Sequence, residues 1–516
     1  MKQQGKAAAA ALTLLGGSLL GLLACVAALS VPSLGNRARL ALVLGPALLL
    51  FALWSGRPRL VFLFAWVALL TYNRQFFSFD SVFGDYGSQG AYWIPADPAL
   101  LALFVVWGLE RRRRRAPSAP VGLPSWPLLL PYALVAIASS LAAAHPIWGA
   151  FELLRVIRFA LVLYYVRRNF GRAELWTCVA AFAVVTLLQS GLATLQVVRN
   201  VGSGLTSLVG AQGPSDNSIT VEFAGQEQVR GAGTMVHPNI LAPYLLFLLP
   251  VFAALALTLS DRRWRTLAGA TAAVGLVGVV STMSRLPFAL ALLELIAVAV
   301  VLTRLRAVSV EKALGAAFAA AFVGTLILLP LAGKVQARLT ADFRESIELR
   351  ERYNRAALGI ASRRPVLGVG LNNFRAYLAQ EEPEFAQMLD EGEFARKQIG
   401  LRVAAPVHNF YLLVLSETGA LGLLTFLLFL AGIIYRGFVA VARTEDKERA
   451  VVLGLVVGLL AQVLQQTMDY SLWADPSYYT LALITSLLKV ATRGFGASGQ
   501  GRPHAEPAPG HAAEAA

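Results

Sequence analysis

Long apolar runs recur along the whole chain, and they constrain its fold more than any other feature. A helix crosses a bilayer with about 20 apolar residues. Runs of that kind are read near 7–30, 38–55, 60–76, 93–109, 125–144, 149–167, 174–198, 238–259, 265–281, 286–303, 312–333, 409–435, 449–468 and 475–491. The expectation is an all-α polytopic membrane protein with about fourteen transmembrane helices. Composition agrees, because only 15% of the residues are charged and 57% are hydrophobic. Soluble domains are roughly a quarter charged and roughly half apolar.

Orientation follows from basic residues in short loops, which favour the cytoplasmic side. Arg111 to Arg115 form an unbroken run. Alternation from there puts Arg167, Arg168 and Arg172 on the same side, then Arg262, Arg263 and Arg265, then Arg304, Arg306 and Lys312, and last Arg436, Arg443, Lys447 and Arg449. The net charge of +15 is read mainly as this cytoplasmic excess, and otherwise as cations facing an anionic ligand. No basic stretch is interleaved with aromatics in a soluble module, so no nucleic-acid partner is expected. The 7–30 run is read as a first membrane helix rather than a cleaved signal peptide. Cys25 and Cys178 lie inside apolar runs and give neither a metal motif nor a disulfide framework.

The outer side then receives 72–92, 199–237, 281–285, 334–407 and 469–474. The 334–407 segment is too long and polar for a simple connector. Its stretch ESIELRERYNRAALGIASR carries apolar residues at helical spacing. The chain divides into N-terminal transmembrane helices (1–220), transmembrane helices with two motifs (221–333), an outer helical loop (334–407), C-terminal transmembrane helices (408–492) and a disordered tail (493–516). No internal repeat is evident.

Four outer motifs carry candidate chemistry. In VRGAGTMVHPNILAPYLL, Arg230 and His237 stand above a helix N-terminus opened by Pro238, a setting that favours anions. His237 equally suits a capping role. In STMSRLPFAL, Arg285 occupies a turn too short to leave the membrane surface. A guanidinium suits phosphate because its planar fork binds two oxygens and stays charged. The third motif runs from Arg352 through Pro365-Val-Leu-Gly-Val-Gly-Leu-Asn-Asn-Phe to Tyr377 and includes Asn373. Any one loop arginine is equally a solvated helix face paired with Glu345, Glu348 or Glu351. The fourth is VHNFYLLVLSETGALGLL, where His408 and Asn409 stand at the lip of a membrane helix. A neutral imidazole there can take a proton from a hydroxyl, or simply cap the helix.

One set lies inside a span. Glu152, Arg155 and Arg158 share a helix face, and charges in a membrane default to a functional hypothesis. Glu152 neutralises Arg155 on this reading. Arg158 lacks an obvious local partner and is expected to face a cavity that admits a lipid phosphate. No Asp-x-Asp and no His/Glu metal cluster stands in the sequence, so neutralising a phosphate leaving group falls to arginine.

These motifs, in this order, resemble the O-antigen ligase/polymerase family of bacterial envelope glycosyltransferases. The likeness runs over roughly 225 to 435. Arg230 with Gly233 and Pro238-Asn239, the turn at Arg285, the Arg352 to Phe374 block, and His408-Asn409 with Glu417-Thr418-Gly419 and Gly422 carry it. The resemblance implies a GT-C-like fold in the bacterial inner membrane, with the outer loops in the periplasm. It implies metal-independent, inverting transfer of a glycan from undecaprenyl diphosphate, with no cofactor. The acceptor is the lipid A core in ligases and a growing carrier-linked glycan in polymerases. On this reading His408 activates the acceptor hydroxyl, while Arg230, Arg285 and Arg352 hold the diphosphate. A polysaccharide or lipid exporter is the alternative of another class. It would spread its charges along a central pathway between repeat-related halves.

Overall fold

Apolar stripes and paired polar ends organise the described residues into a helical bundle. The computed structural model describes residues 47–72, 76–82, 88–114, 129–200, 220–223, 226–235, 237–315, 344–381 and 407–492, with single positions at 318 and 333. The expected span at 7–30, most of 312–333, half of 38–55, and the 493–516 tail lie outside them.

Helix α1 (Pro58–Leu69) leads into the hairpin β1 (Phe76–Val82) and β2 (Ser88–Trp93), then α2 (Asp97–Arg114), α3 (Leu129–Leu141), α4 (Pro146–Asn169) and α5 (Arg172–Arg199). A second hairpin, β3 (Thr220–Phe223) and β4 (Gln226–Val229), precedes α6 (Pro238–Thr258), α7 (Arg262–Ser281) and α8 (Arg285–Arg304). Helices α9 (Arg344–Arg363) and α10 (Phe374–Glu381) follow, then α11 (Phe410–Arg443), α12 (Asp446–Gln465) and α13 (Asp475–Ala491). Among the described residues, α5, α6, α7, α8, α11 and α12 are long and apolar enough to cross a membrane. The protein is a helical membrane protein. The expectation of an all-α chain needs one amendment, two antiparallel hairpins.

Helix α6 is the centre of the bundle and the most buried of the six spans. Small residues let its neighbours approach. A Cβ on Gly454 of α12 would stand 2.3 Å from the Val251 Cα, and one on Gly458 would stand 2.7 Å from the Leu246 carbonyl. This i, i+4 glycine pair allows the close backbone contact that drives helix association in lipid. Gly275 and Gly278 of α7 lie in the same way against Thr186 and Ser190 of α5.

Cross-helix bonds sort the helix ends into two groups. At one end Arg59 bonds Glu174 and the Asn169 carbonyl, Arg172 pairs with Glu448, and Arg443 bonds the Thr492 carbonyl at 3.0 Å. At the other end Thr194 meets Ser281 at 3.0 Å, Gln189 meets Thr71 and Thr234, and the Phe410 amide bonds the Gln466 carbonyl at 3.0 Å. The arginine-rich loops expected in the cytoplasm fall at the first end, and every motif falls at the second. Helix α9 lies at the motif end with Tyr353, Ala356, Ala357 and Ile360 buried in one stripe, as its spacing predicts.

Candidate active site

The site is built from two groups of residues at the motif end of the bundle. Arg230 anchors the first. Glycines press its segment against α5: a Cβ on Gly231 would stand 2.7 Å from the Ala193 carbonyl, and Gly233 adopts φ +57°. Gln196 accepts from the amides of Ala232 and Gly233, and Gln189 accepts from Thr234. Arg230 then turns inward. Its Nε donates to the Thr282 carbonyl at 3.0 Å, and its Nη2 donates to Asn239 Oδ1 at 2.9 Å and Ser284 Oγ at 3.0 Å. One guanidinium therefore ties β4, the first turn of α6 and the 281–284 turn together. That turn holds Met283 at φ +52°, a left-handed conformation uncommon outside glycine. Arg285 follows as the first residue of α8. His237 caps α6, its Nδ1 accepting from the Asn239 amide at 3.0 Å.

His408 anchors the second group. Asn409 caps α11 by accepting from the amides of Tyr411 (3.0 Å) and Leu412 (3.2 Å), which fixes His408 just outside the helix. Its Nδ1 is buried, makes no hydrogen bond among the described residues, and lies 3.9 Å from Asp469 Oδ1. Tyr353 of α9 and Tyr470 flank the ring edge-on, with centroids 6.3 and 5.2 Å away. Arg352, next to Tyr353, is half-buried on α9. Gln466 holds both sides of this group: its backbone carbonyl accepts from Phe410, and its side chain bonds Ser471 and the Leu472 amide.

Motifs three and four are one structural unit. Helix α11 breaks at Gly419, which adopts φ +68° and ψ −173°. The break frees backbone groups that a helix would satisfy internally. The 365–370 loop takes them up: Val369 donates to the Ser416 carbonyl (3.0 Å), Gly370 to the Glu417 carbonyl (2.8 Å), and Ala420 to the Pro365 carbonyl (2.8 Å). A Cβ on Gly368 would stand 2.4 Å from the Glu417 carbonyl carbon, and one on Gly419 would stand 2.2 Å from the Val366 carbonyl. Only glycine fits at either place. Ser139 seals the joint with bonds to the Leu367 and Glu417 carbonyls.

The remaining expected residues lie elsewhere in this frame. Asn373 is fully buried, and its amide bonds the His145 backbone and the Leu371 carbonyl. It clamps the 370–374 turn to the start of α4. Arg158, without a local partner in its own helix, finds one across the bundle. Arg158 pairs with Asp97 at 3.3 Å, bonds the Tyr479 hydroxyl and the Tyr92 carbonyl, and lies over the Tyr92 ring. The acid stands on another helix, so no local spacing reveals it. The Glu152–Arg155 pair is present at 2.7 Å, with Asp475 as a second acid at 3.2 Å.

Comparison with known families bears on the same stretch. Residues 270–427 match the family model described as O-antigen ligase. That stretch is what this chain shares with the O-antigen ligase/polymerase family, and it supports the resemblance. No curated protein matches it. The O-antigen ligase match includes Arg285, Arg352, Asn373, His408 and Asn409, and leaves Arg230 and His237 outside its bounds. Sequence reasoning missed Asp469, Tyr470 and Tyr353. Asp469 did carry a signal, as an acid in the short outer turn before the last helix.

Proposed function

We propose that this protein transfers a glycan from undecaprenyl diphosphate to a sugar hydroxyl at the periplasmic face of the bacterial inner membrane, as an O-antigen ligase acting on the lipid A core. Polymerisation onto a second carrier-linked glycan is the alternative within the family. The reading includes about fourteen spans, in a GT-C-like arrangement. The observation that carries it is His408, whose buried Nδ1 faces Asp469 without a hydrogen bond, at the same end of the bundle as Arg230 and Arg285. The family match over 270–427 supports it.

In this reading Nδ1 of His408 carries the resident proton toward Asp469, and Nε2 faces the acceptor. The acceptor hydroxyl oxygen forms a bond to the anomeric carbon as the carbon–oxygen bond to the diphosphate breaks on the opposite face. The hydroxyl proton passes to His408, and the electron pair leaves with the diphosphate. Arg230 and Arg285 neutralise that departing charge, with Arg352 as a third cation on the side of His408. Asn409, Asn373 and His237 fix backbone rather than touch substrate. Arg158 serves packing. A positioned base contributes about 10²–10⁴-fold, and a fixed donor at the developing charge contributes about 10²–10³-fold. Neither role calls for a bound metal.

The envelope glycans of a strain lacking the protein test the reading. Long polymer retained on the carrier with bare lipid A core is expected of a ligase. Single repeat units would transfer the assignment to a polymerase, and an unchanged glycan profile would remove both.

A further inference from the structure

The two halves of the site stand on different helices, and a polar chain joins them. Helices α6 and α12 pack antiparallel in a fixed register. A Cβ on Gly454 would meet Val251, and one on Gly458 would meet the carbonyls of Leu246 and Phe247. One turn further along α12, the Gln462 Nε2 donates to the Pro243 carbonyl. Each step of four residues along α12 therefore matches a step of four back along α6. The next step brings Gln466 level with Asn239, which accepts from Arg230 at 2.9 Å.

Gln466 continues the chain. Its Nε2 donates to Gln462 Oε1 at 3.3 Å and to Ser471 Oγ at 2.9 Å, and its Oε1 accepts from the Leu472 amide at 3.1 Å. The Phe410 amide donates to the Gln466 carbonyl at 3.0 Å and to the Asp469 carbonyl at 3.1 Å. Phe410 opens α11, two residues after His408. Both glutamines are fully buried. A buried amide costs free energy unless it is bonded, and the glycines already supply the close approach that lipid-embedded helices need. A bonded polar group in such a seam is best attested as a register device. A slip of α12 along α6 would strand the Gln462 amide.

We propose that Gln462 and Gln466 are positioning residues that set the spacing between His408 and Arg230. Arg230 is fixed to α6 through Asn239, and the start of α11 is fixed to the end of α12 through Phe410. The distance from base to cation then follows from how α12 sits on α6, which the two glutamines hold. Both are too deeply buried to meet substrate, so they act through the groups they place. A displacement of about 1 Å in such a pair costs about 10²-fold in rate. The inference rests on the transfer reading above, in which His408 and Arg230 serve one reaction.

The test uses the full chain in nanodiscs. Transfer from an undecaprenyl diphosphate-linked glycan is measured at steady state, per folded protein, for Gln462→Met, Gln466→Met and the double variant. Methionine keeps the length of glutamine and removes its amide. Gln462→Met is expected to lower kcat about tenfold to hundredfold, while KM for the donor changes by less than about twofold. A merely structural role would lower the folded fraction and leave kcat per folded protein as it was. The double variant is expected to be no slower than the slower single, because either change opens the same chain. Should Gln462→Met not fold, the same expectations pass to Gln466→Met. Wild-type kcat in the folded single variants, a loss confined to KM, or losses that multiply in the double variant would overturn the proposal. His408→Gln, measured alongside, separates the two readings. Wild-type transfer by that variant would overturn the transfer reading itself, and the positioning role with it.

Discussion

Two polar clusters lie at the motif end of this bundle, and they handle charge in opposite ways. The first joins α4, α13 and the β2–α2 corner. There Arg155 meets Glu152 and Asp475, sits against the rings of Trp473 and Tyr478, and bonds the Trp473 carbonyl. Arg158 meets Asp97, Tyr479 and Tyr92. Each guanidinium is met by an acid and by aromatic or backbone acceptors. The second cluster surrounds His408. Its Asp469 stays 3.9 Å away, its Nδ1 is buried with no bond among the described residues, and the half-buried Arg352 stands next to Tyr353. Both clusters carry arginine in apolar surroundings. The closed one has the form of a structural rivet, and the open one has the form of a site.

Removing the imidazole should have the largest effect. His408→Gln is expected to lower glycan transfer by about 10²–10⁴-fold, with unchanged thermal unfolding of the purified protein. A comparable fall in melting temperature would mean that His408 is a rivet too, and the contrast would collapse.

Arg155→Ala should act through stability instead. It leaves Glu152 and Asp475 buried without their cation, a change that costs about 3–5 kcal/mol in buried pairs. Lower yield and earlier unfolding are expected, with the remaining folded fraction transferring glycan at the normal rate. A folded Arg155→Ala protein without transfer would move this cluster into the site.

Gly419→Ala probes the joint between the clusters. Its Cβ would meet the Val366 carbonyl at 2.2 Å, and left-handed strain adds about 1–3 kcal/mol. The 365–370 loop is expected to detach, which limited proteolysis between 363 and 374 would detect. Equal resistance to protease would show that the loop does not depend on the break.

The smallest effect concerns the cap. Asn409→Ala is expected to cost about 1 kcal/mol, read as a small shift in unfolding, and Asn409→Ser should restore most of it. A loss of transfer larger than this would make Asn409 a substrate contact.

Much of this was readable from sequence because membrane helices and basic loops follow simple rules. The order of the motifs and their shared end came from counting apolar runs and arginines. The alternation survives in the bonds that join Arg172 to Glu448 at one end and Phe410 to Gln466 at the other. What the sequence withheld was partnership across distance. Arg158 appeared alone because Asp97 stands 61 residues away. Gly368 and Gly419 read as separate loop and helix glycines, yet each is required by the other's backbone. Asn373 bonds the Leu371 carbonyl and His237 accepts from the Asn239 amide, contacts that residue type alone does not reveal. Asp469 entered only when α12 ended beside the start of α11. The two hairpins lie between helices, where no apolar period marks them.

One comparison tests the central claim most directly. Transfer from an undecaprenyl diphosphate-linked glycan is measured for His408→Gln and Arg158→Gln side by side, each normalised to folded protein. The account predicts that Arg158→Gln forms product in proportion to its folded amount and that His408→Gln forms almost none. Wild-type transfer by His408→Gln, or none by folded Arg158→Gln, would contradict it.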